Sequence, residues 1–312
     1  MSDKNSKCRL DLAVRNRHQL SWNQAREWIR TGKIWIDGVA VTEESRLVAP
    51  DVEFELKMNA PRSGGKRLRA AAASLKPEDV ILLDTQLIVL NKAAGISTVP
   101  FDESENNSLE QRTSRYLKSG HMVVVHRLDR DTTGLLVFAR TPNAGKILAD
   151  QFRAHTVLRR YFALAHGQVK SQTIRSLLVE NRGDGLRGSH SPHSAASKAD
   201  AKPAVTHVTA LLQLEGMTLV ECRLETGRTH QIRIHLGEAG HPLLGEKTYN
   251  RYYTGPKIEA PRMMLHAAEL GFTHPTQNIP LRWTLLPPAD FLGMIGARGH
   301  DVLAERLCAT RS

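Results

Sequence analysis

Nine consecutive residues, His126-Arg127-Leu128-Asp129-Arg130-Asp131-Thr132-Thr133-Gly134, set two carboxylates among two arginines and a histidine. A carboxylate held close to fixed positive charge is oriented, and the setting suits a substrate that is itself anionic. Apolar runs at 122–125 and 135–139 lead into and out of this segment. They read as short buried strands, which makes the polar stretch a loop on a rigid scaffold. A second rich segment runs Thr226-Gly227-Arg228-Thr229-His230-Gln231-Ile232-Arg233-Ile234-His235-Leu236. Gly227 permits a tight turn, and the residues after it can enter a helix. Arg228 and Arg233 are five apart, so they do not share one helical face; one can meet phosphate while the other pairs with a buried acid. Tyr161 follows Arg159-Arg160 and opens an apolar strand over 162–165, where a half-buried core role is as good a reading as a chemical one.

Other chemistries lack their residues. His230, His235 and His241 are spaced by five and six, which fits neither a helical His-x3-His pair nor a common zinc pattern, so no metal site is expected. There is no G-x-S-x-G, no phosphate-binding G-x-x-x-x-G-K-[ST] loop and no G-x-G-x-x-G opening a helix, so no nucleotide cofactor is expected either. What remains is carboxylate chemistry supported by arginines and a tyrosine.

The elements that must position these residues belong to a chain of 312 residues, which points to two domains. No run of about 18 apolar residues exists, so no membrane span is expected. Residues 1–7 are polar and lack an apolar signal core. Cys8, Cys222 and Cys308 are odd in number and far apart, as in reduced thiols of a cytoplasmic protein. A monomer is the default expectation. The formal net charge is +11, and residues 112–170 carry eleven Lys or Arg against three acids. That surplus surrounds the acidic pair and is the footprint of a nucleic-acid partner; a solvated basic face without a role is the bland alternative.

Residues 8–57 read as a separate small module. A helix over 9–17 precedes a second helix that Ser21 opens, with Gln24 completing a capping box, and that Gly32 ends. Residues 33–36 and 39–41 flank Asp37-Gly38 in a hairpin pattern, and 52–57 alternates like a strand. Arg15, Arg17, Arg26, Arg30 and Lys33 cluster here, which suits a small RNA-binding unit as well as a structural cap. Residues 58–79 read as a basic linker, 80–292 as the main domain and 293–312 as a C-terminal tail. Inside the main domain, strands are expected at 80–83, 87–90, 207–214 and 217–224, and helices at 109–118, 144–152 and 232–238. Residues 181–203 lack periodicity and read as a long surface loop. The mixture is α+β with mainly antiparallel pairing.

On these residues the chain resembles the RluA-type pseudouridine synthases. The resemblance covers about 80–292 and rests on HRLDRDTTGLLVFAR (126–140), RRYFALAHG (159–167), LETGRTHQIRIHL with GHPLLGEKTY (224–249) and MLHAAELGFTHP (264–275). Residues 8–57 resemble the alpha-L RNA-binding module that precedes the catalytic domain in many members. The resemblance implies the family's catalytic fold, with a mixed, mainly antiparallel central sheet, and an RNA isomerase that converts uridine to pseudouridine. It implies Asp129 as the catalytic aspartate, Tyr161 as the active-site tyrosine, and Arg233, in preference to Arg228, as the arginine that pairs with the aspartate. Asp131 then shapes the loop, and Arg127 fills the gap left by an extruded base. Arg130, Arg228 and His230 are further expected RNA contacts, as are the five basic residues of the module. Departures from the family pattern are Ala93 for proline, Thr133 for serine, Arg160 for lysine and Ala201-Lys202-Pro203-Ala204 with alanine where glycine is typical; none removes a catalytic group. The reaction breaks a glycosidic bond and rejoins the base through carbon 5 without net oxidation, so it requires neither cofactor nor metal, but the base must be flipped out of its stack. The module favours large-subunit ribosomal RNA over transfer RNA as the partner. The alternatives are a non-catalytic RNA-binding or ribosome-assembly factor on the same fold, and a metal-dependent nuclease using Asp129 and Asp131, which lacks further acidic ligands.

Overall fold

The computed structural model describes residues 8–44, 46–49, 51–59, 74–101, 105–118, 122–183, 185–191, 198–251 and 253–308, and the chain divides into two compact units. Most of the expected linker, 60–73, lies outside the described residues.

The first unit holds β1 (Cys8–Arg9), α1 (Leu10–His18), α2 (Trp22–Arg30), β2 (Ile34–Ile36), β3 (Val39–Ala40), β4 (Leu47–Val48) and β5 (Glu55–Leu56). Ser21 caps α2 as expected: its Oγ accepts from Gln24 N at 3.2 Å, and Gln24 Oε1 accepts from Ser21 N at 3.1 Å. The hairpin around Asp37-Gly38 pairs β2 with β3, and β5 pairs on the other side of β2. Leu10, Val14, Ala25, Ile29 and Ile34 close a small core.

The second unit begins with a short 3-10 turn, Pro77–Asp79, followed by β6 (Val80–Leu83), β7 (Leu87–Lys92), α3 (Leu109–Leu117), β8 (Val123–Val124), β9 (Thr133–Ala139) and α4 (Pro142–Arg153). Then come β10 (Leu158–His166), β11 (Gln172–Val179), β12 (Gly188–Ser189), β13 (Lys202–Leu214), β14 (Met217–Leu224), α5 (Gln231–Glu238), β15 (Leu265–Thr273), β16 (Pro280–Thr284) and α6 (Ala289–Cys308). Among the described residues the strands form one sheet in the order β12-β11-β13-β14-β10-β15-β9-β7-β6, with β16 on β15 and β8 on β9. Among the described residues only the β15–β9 pair is parallel.

Strand alternation divides the core by face. Tyr161, Ala163 and Ala165 of β10 point to one side, where they meet Leu128, Ile232 and Leu236, so α5 and the 126–134 loop lie over this face. Phe162 and Leu164 point to the other side and pack on Phe291, Ile295, Leu303 and Leu307 of α6. Leu135 and Val137 of β9 share that second side with Ala144 and Leu148 of α4.

Two expectations are corrected. Residues from 293 onward are no tail as far as Cys308: α6, interrupted at Gly296 (φ +62°), buries its apolar side on the sheet. Within 181–203, Gly188–Ser189 pairs with β11 and β13 starts at Lys202, so the surface loop is shorter than its polar composition implies; 184 and 192–197 lie outside the described residues.

Candidate active site

The 126–134 loop is fixed at both ends and from beneath. At its entrance, His126 Nε2 accepts from Val137 N at 3.1 Å, and its ring stacks on Phe152 at 4.5 Å. Burial and the nearby Arg159 hold this imidazole down to about 3, so it is neutral at physiological pH. In the middle, Thr98 Oγ1 donates to Leu128 O at 2.7 Å and accepts from Leu128 N at 3.1 Å. Gly95 N donates to Arg130 O at 2.9 Å, and Arg130 Nε returns a bond to Gly95 O at 3.1 Å. Below lies Lys92, fully buried, whose Nζ donates to Ala93 O and Arg130 O, each at 2.9 Å. Burial pushes this amine down to about 7, against the pull of Asp131 and Asp129. A tight turn, Thr132 N to Asp129 O at 3.1 Å, then leads into β9. Gly134 has φ +110°, and a Cβ there would stand 2.2 Å from Ala267 O, so only glycine lets β9 approach β15 this closely.

Opposite the loop stands α5. Gln231 anchors its start: Oε1 accepts from Thr226 Oγ1 at 2.8 Å and Arg228 N at 3.0 Å, while Nε2 donates to Val205 O at 3.0 Å and Thr206 Oγ1 at 2.9 Å. Two residues further on, Arg233 Nη1 donates to Asp129 Oδ2 at 3.0 Å. The same guanidinium donates to the fully buried Glu246 through Nε (2.7 Å) and Nη2 (2.9 Å). Glu246 Oε1 also accepts from Thr248 N at 2.7 Å and Tyr249 N at 3.3 Å. Burial by itself would raise the Glu246 carboxyl, but Arg233 and these amides hold it below its ordinary value. Burial would likewise lower Arg233, and Glu246 with Asp129 raises it instead. Asp129 keeps 24% of its side chain exposed, against 12% for Arg233, so its carboxylate is the more open of the pair to a ligand.

His230, in the left-handed region at φ +59°, precedes α5. Its Nδ1 lies 2.8 Å from the Tyr249 hydroxyl and its Nε2 3.8 Å from Asp129 Oδ1. Burial pushes the Tyr249 phenol up to about 12, with Arg233 opposing. Tyr161 sits in β10, where its register partner Ala267 also pairs with Gly134 of β9. Burial raises its hydroxyl, Arg159 opposes, and Asp129 adds to the rise, so the phenol keeps its proton.

The structure therefore brings Asp129, Arg233 and His230 together and places Tyr161 on the same face of the sheet. Arg228 does not reach Asp129; its Nε donates to Pro203 O at 3.0 Å. Asp131 is exposed, and its main-chain carbonyl accepts from Arg262 Nη1 at 3.2 Å. Arg127 and Arg130 are exposed beside Asp129. In the first unit, Arg15 and Arg17 lie 4.9 Å over the rings of Trp22 and Phe54. Arg26 pairs with buried Asp11 at 3.0 Å, Arg30 with Glu44 at 3.1 Å, and Lys33 is half-buried. His235 bonds Thr206 and Ser176, and His241 bonds His166 O. Among the described residues no three His, Cys, Asp or Glu side chains are grouped to hold a metal ion.

Sequence reasoning did not single out Lys92, Thr98, Glu246 or Tyr249. Glu246 had a signal: a buried arginine demands a carboxylate, and Glu246 stands in the GHPLLGEKTY segment thirteen residues on. Lys92, at the end of an apolar strand, offers none, because its role is set by a loop 38 residues away.

Comparison with known proteins places these residues in context. The RNA pseudouridylate synthase family model matches residues 86–238. Ribosomal large subunit pseudouridine synthase D of Nitrosomonas europaea is 32% identical over 289 residues, 88% of this chain and 80% of that protein. The protein of the same name from Zymomonas mobilis is 37% identical over 233 residues, 69% of this chain and 70% of that protein. Among solved structures, human RNA pseudouridylate synthase domain containing 1 shares the fold with a TM-score of 0.56 at 24% identity, covering 70% of this chain and 86% of that one.

Proposed function

This chain belongs to the RNA pseudouridylate synthase family and is an RNA-modifying isomerase, and we propose that it isomerises specific uridines of large-subunit ribosomal RNA with Asp129 as its catalytic group. The observation that carries the assignment is the contact of Arg233 Nη1 with Asp129 Oδ2 at 3.0 Å, on a carboxylate that remains open to a ligand. The names of the most similar relatives favour large-subunit RNA over transfer RNA. The target atom is hidden in a stacked base, so the nucleotide is flipped toward Asp129, and Arg127 enters the space it leaves. Unstacking costs a few kcal/mol, which phosphate contacts of the basic surface offset.

Asp129 then acts on the ribose, as nucleophile at the anomeric carbon or as the base that begins an elimination. The freed base rotates and rejoins through carbon 5, and the carbon 5 proton leaves with help from Tyr161, whose ring also offers a stacking surface. The first unit, an alpha-L module in this reading, holds RNA through its basic residues and contributes position, not chemistry. The enzyme works as a cytoplasmic monomer without cofactor or metal. Asp129, Tyr161 and Arg233 are all present, which weighs against a non-catalytic factor on the same fold.

The test is tritium release from large-subunit ribosomal RNA transcribed with uridine labelled at carbon 5, in the presence of EDTA. Wild type is expected to release tritium at one or a few positions. Asp129→Asn is expected to release none while binding the transcript within a few-fold of wild type. Release that survives in Asp129→Asn, or that EDTA abolishes, would overturn the assignment.

A further inference from the structure

Resting on that reading, the geometry points to a specificity role for His230: oriented by Tyr249, it binds the ribose 2′-hydroxyl of the target uridine jointly with Asp129 and so selects RNA over DNA at that nucleotide. The two oxygens of Asp129 are not equivalent. Oδ2 is taken by Arg233 at 3.0 Å, and Oδ1 faces His230 Nε2 at 3.8 Å. That separation is too long for a direct hydrogen bond. It is wide enough for one oxygen atom placed about 2.8 Å from both groups.

The tautomer decides which oxygen fits. A bare Nε2 lone pair turned toward a carboxylate is repulsive, so Nε2 carries the proton and Nδ1 accepts. The donor to Nδ1 is the Tyr249 hydroxyl at 2.8 Å, which burial keeps protonated. Tyr249 is itself fixed: its amide donates to Glu246 Oε1, and its ring lies 5.2 Å from the Arg233 guanidinium carbon. An atom in the gap must therefore accept from Nε2–H and donate to Oδ1 at once. A hydroxyl does both; a carbonyl, a phosphate oxygen or an ammonium group does not. Asp129 acts at the anomeric carbon or beside it, and the hydroxyl next to that carbon is the 2′-OH, the group that distinguishes RNA from DNA. His230 and Asp129 are 30% and 24% exposed, so a ribose can reach between them.

The experiment is a protein–substrate cycle. A hairpin is cut from the ribosomal RNA around the uridine that the tritium assay maps. It is made with uridine or 2′-deoxyuridine at that single position. Binding is measured in a Tyr161→Phe background, so that turnover does not replace the ligand during the measurement. The single deoxy substitution is expected to weaken binding about fivefold, the worth of one or two ordinary hydrogen bonds. Adding His230→Ala should reduce that penalty below twofold. Tyr249→Phe keeps the ring and removes only the orienting hydroxyl; it should reduce the penalty in the same direction and serves as the test if His230→Ala does not fold. Equal penalties with and without these substitutions overturn the assignment. So does the absence of any penalty in Tyr161→Phe alone, which would leave the gap to water. If wild type isomerises uridine and the penalties are equal, only this inference falls; if wild type isomerises no ribosomal RNA, the functional reading falls with it.

Discussion

Glu246 grips Arg233 along one edge of its guanidinium, Nε–H to Oε2 at 2.7 Å and Nη2–H to Oε1 at 2.9 Å, and leaves Nη1 for Asp129. The arginine is thus aimed by a carboxylate that cannot itself touch substrate. Glu246→Gln keeps the volume but turns one acceptor into a donor facing a donor. Losing one charge-assisted bond costs about 1.5–3 kcal/mol. Felt in the transition state, that is about tenfold to a hundredfold in rate. We expect kcat to fall by this factor with KM little changed and the fold retained, as read by initial rates and circular dichroism. A wild-type kcat in Glu246→Gln would show that the bidentate grip does not matter to Asp129.

Lys92 makes a pH-dependent contribution whose sign can be worked out. Burial brings its amine down to about 7 in the folded chain, against about 10.4 in an unfolded one. Between these values the unfolded state binds the extra proton, so this group adds stability as pH rises and costs it as pH falls toward 7. Lys92→Met removes the titration. The difference in unfolding free energy between wild type and Lys92→Met should move in favour of wild type from pH 7 to pH 9, by at most about 1.4 kcal/mol per pH unit. Urea melts at pH 7, 8 and 9 measure it, and a flat difference would mean the amine keeps its ordinary pKa.

The sequence patterns that proved readable are local. The capping box of Ser21 and Gln24, the hairpin over Asp37-Gly38 and the adjacent strands expected at 207–214 and 217–224 depend on neighbours within a few residues, and all are present. Strands β11 and β16 give no clear signal: β11 mixes polar and apolar residues without alternation, and β16 is five residues long and opens on a proline. From 293 onward the sequence of α6 reads as a tail, because Gly293, Gly296 and Gly299 interrupt its pattern, yet its apolar residues fill the second face of the sheet. In the site, the HRLD and GRTHQIR segments announced Asp129 and Arg233. Their supports, Lys92, Glu246 and Tyr249, become meaningful only once a long-range fold brings them under those segments.

Gly134 is the point where the 126–134 loop enters the sheet. Its φ of +110° and the 2.2 Å clash of a Cβ with Ala267 O leave Gly134→Ala no neighbour that can give way, since the obstacle is backbone. A substitution that both strains φ and clashes should cost more than the about 1–3 kcal/mol of backbone strain alone. Thermal unfolding of Gly134→Ala should show a midpoint lowered by at least about 4 °C, with activity lost in proportion to the displaced loop. A variant as stable as wild type would mean that β9 and β15 can separate at no cost.

On the opposite face of the sheet, Arg160 is buried between two glutamates. Its Nε lies 2.6 Å from Glu269 Oε2 and its Nη1 3.4 Å from Glu221 Oε2, and Nη1 also donates to Arg306 O of α6 at 3.1 Å. Arg306 in turn bonds Glu221 at 2.8 and 3.2 Å. Burial would raise the Glu221 carboxyl, but Arg306, Arg223 and Arg160 hold it below its ordinary value. A depressed carboxylate stabilises the fold above its unfolded pKa and loses that contribution as pH falls through the folded one. Arg160→Met leaves two buried acids short of a partner and should cost about 3 kcal/mol. Arg160→Lys keeps the charge but cannot reach both glutamates and the α6 carbonyl from one ammonium, so it should fall between the two. Urea melts at pH 7 rank the three proteins. The wild-type advantage over Arg160→Met should shrink as the pH is lowered through about 4.5, where unfolded glutamate is about half protonated. An advantage that grows on acidification would mean that Arg160 is not what holds these carboxylates charged.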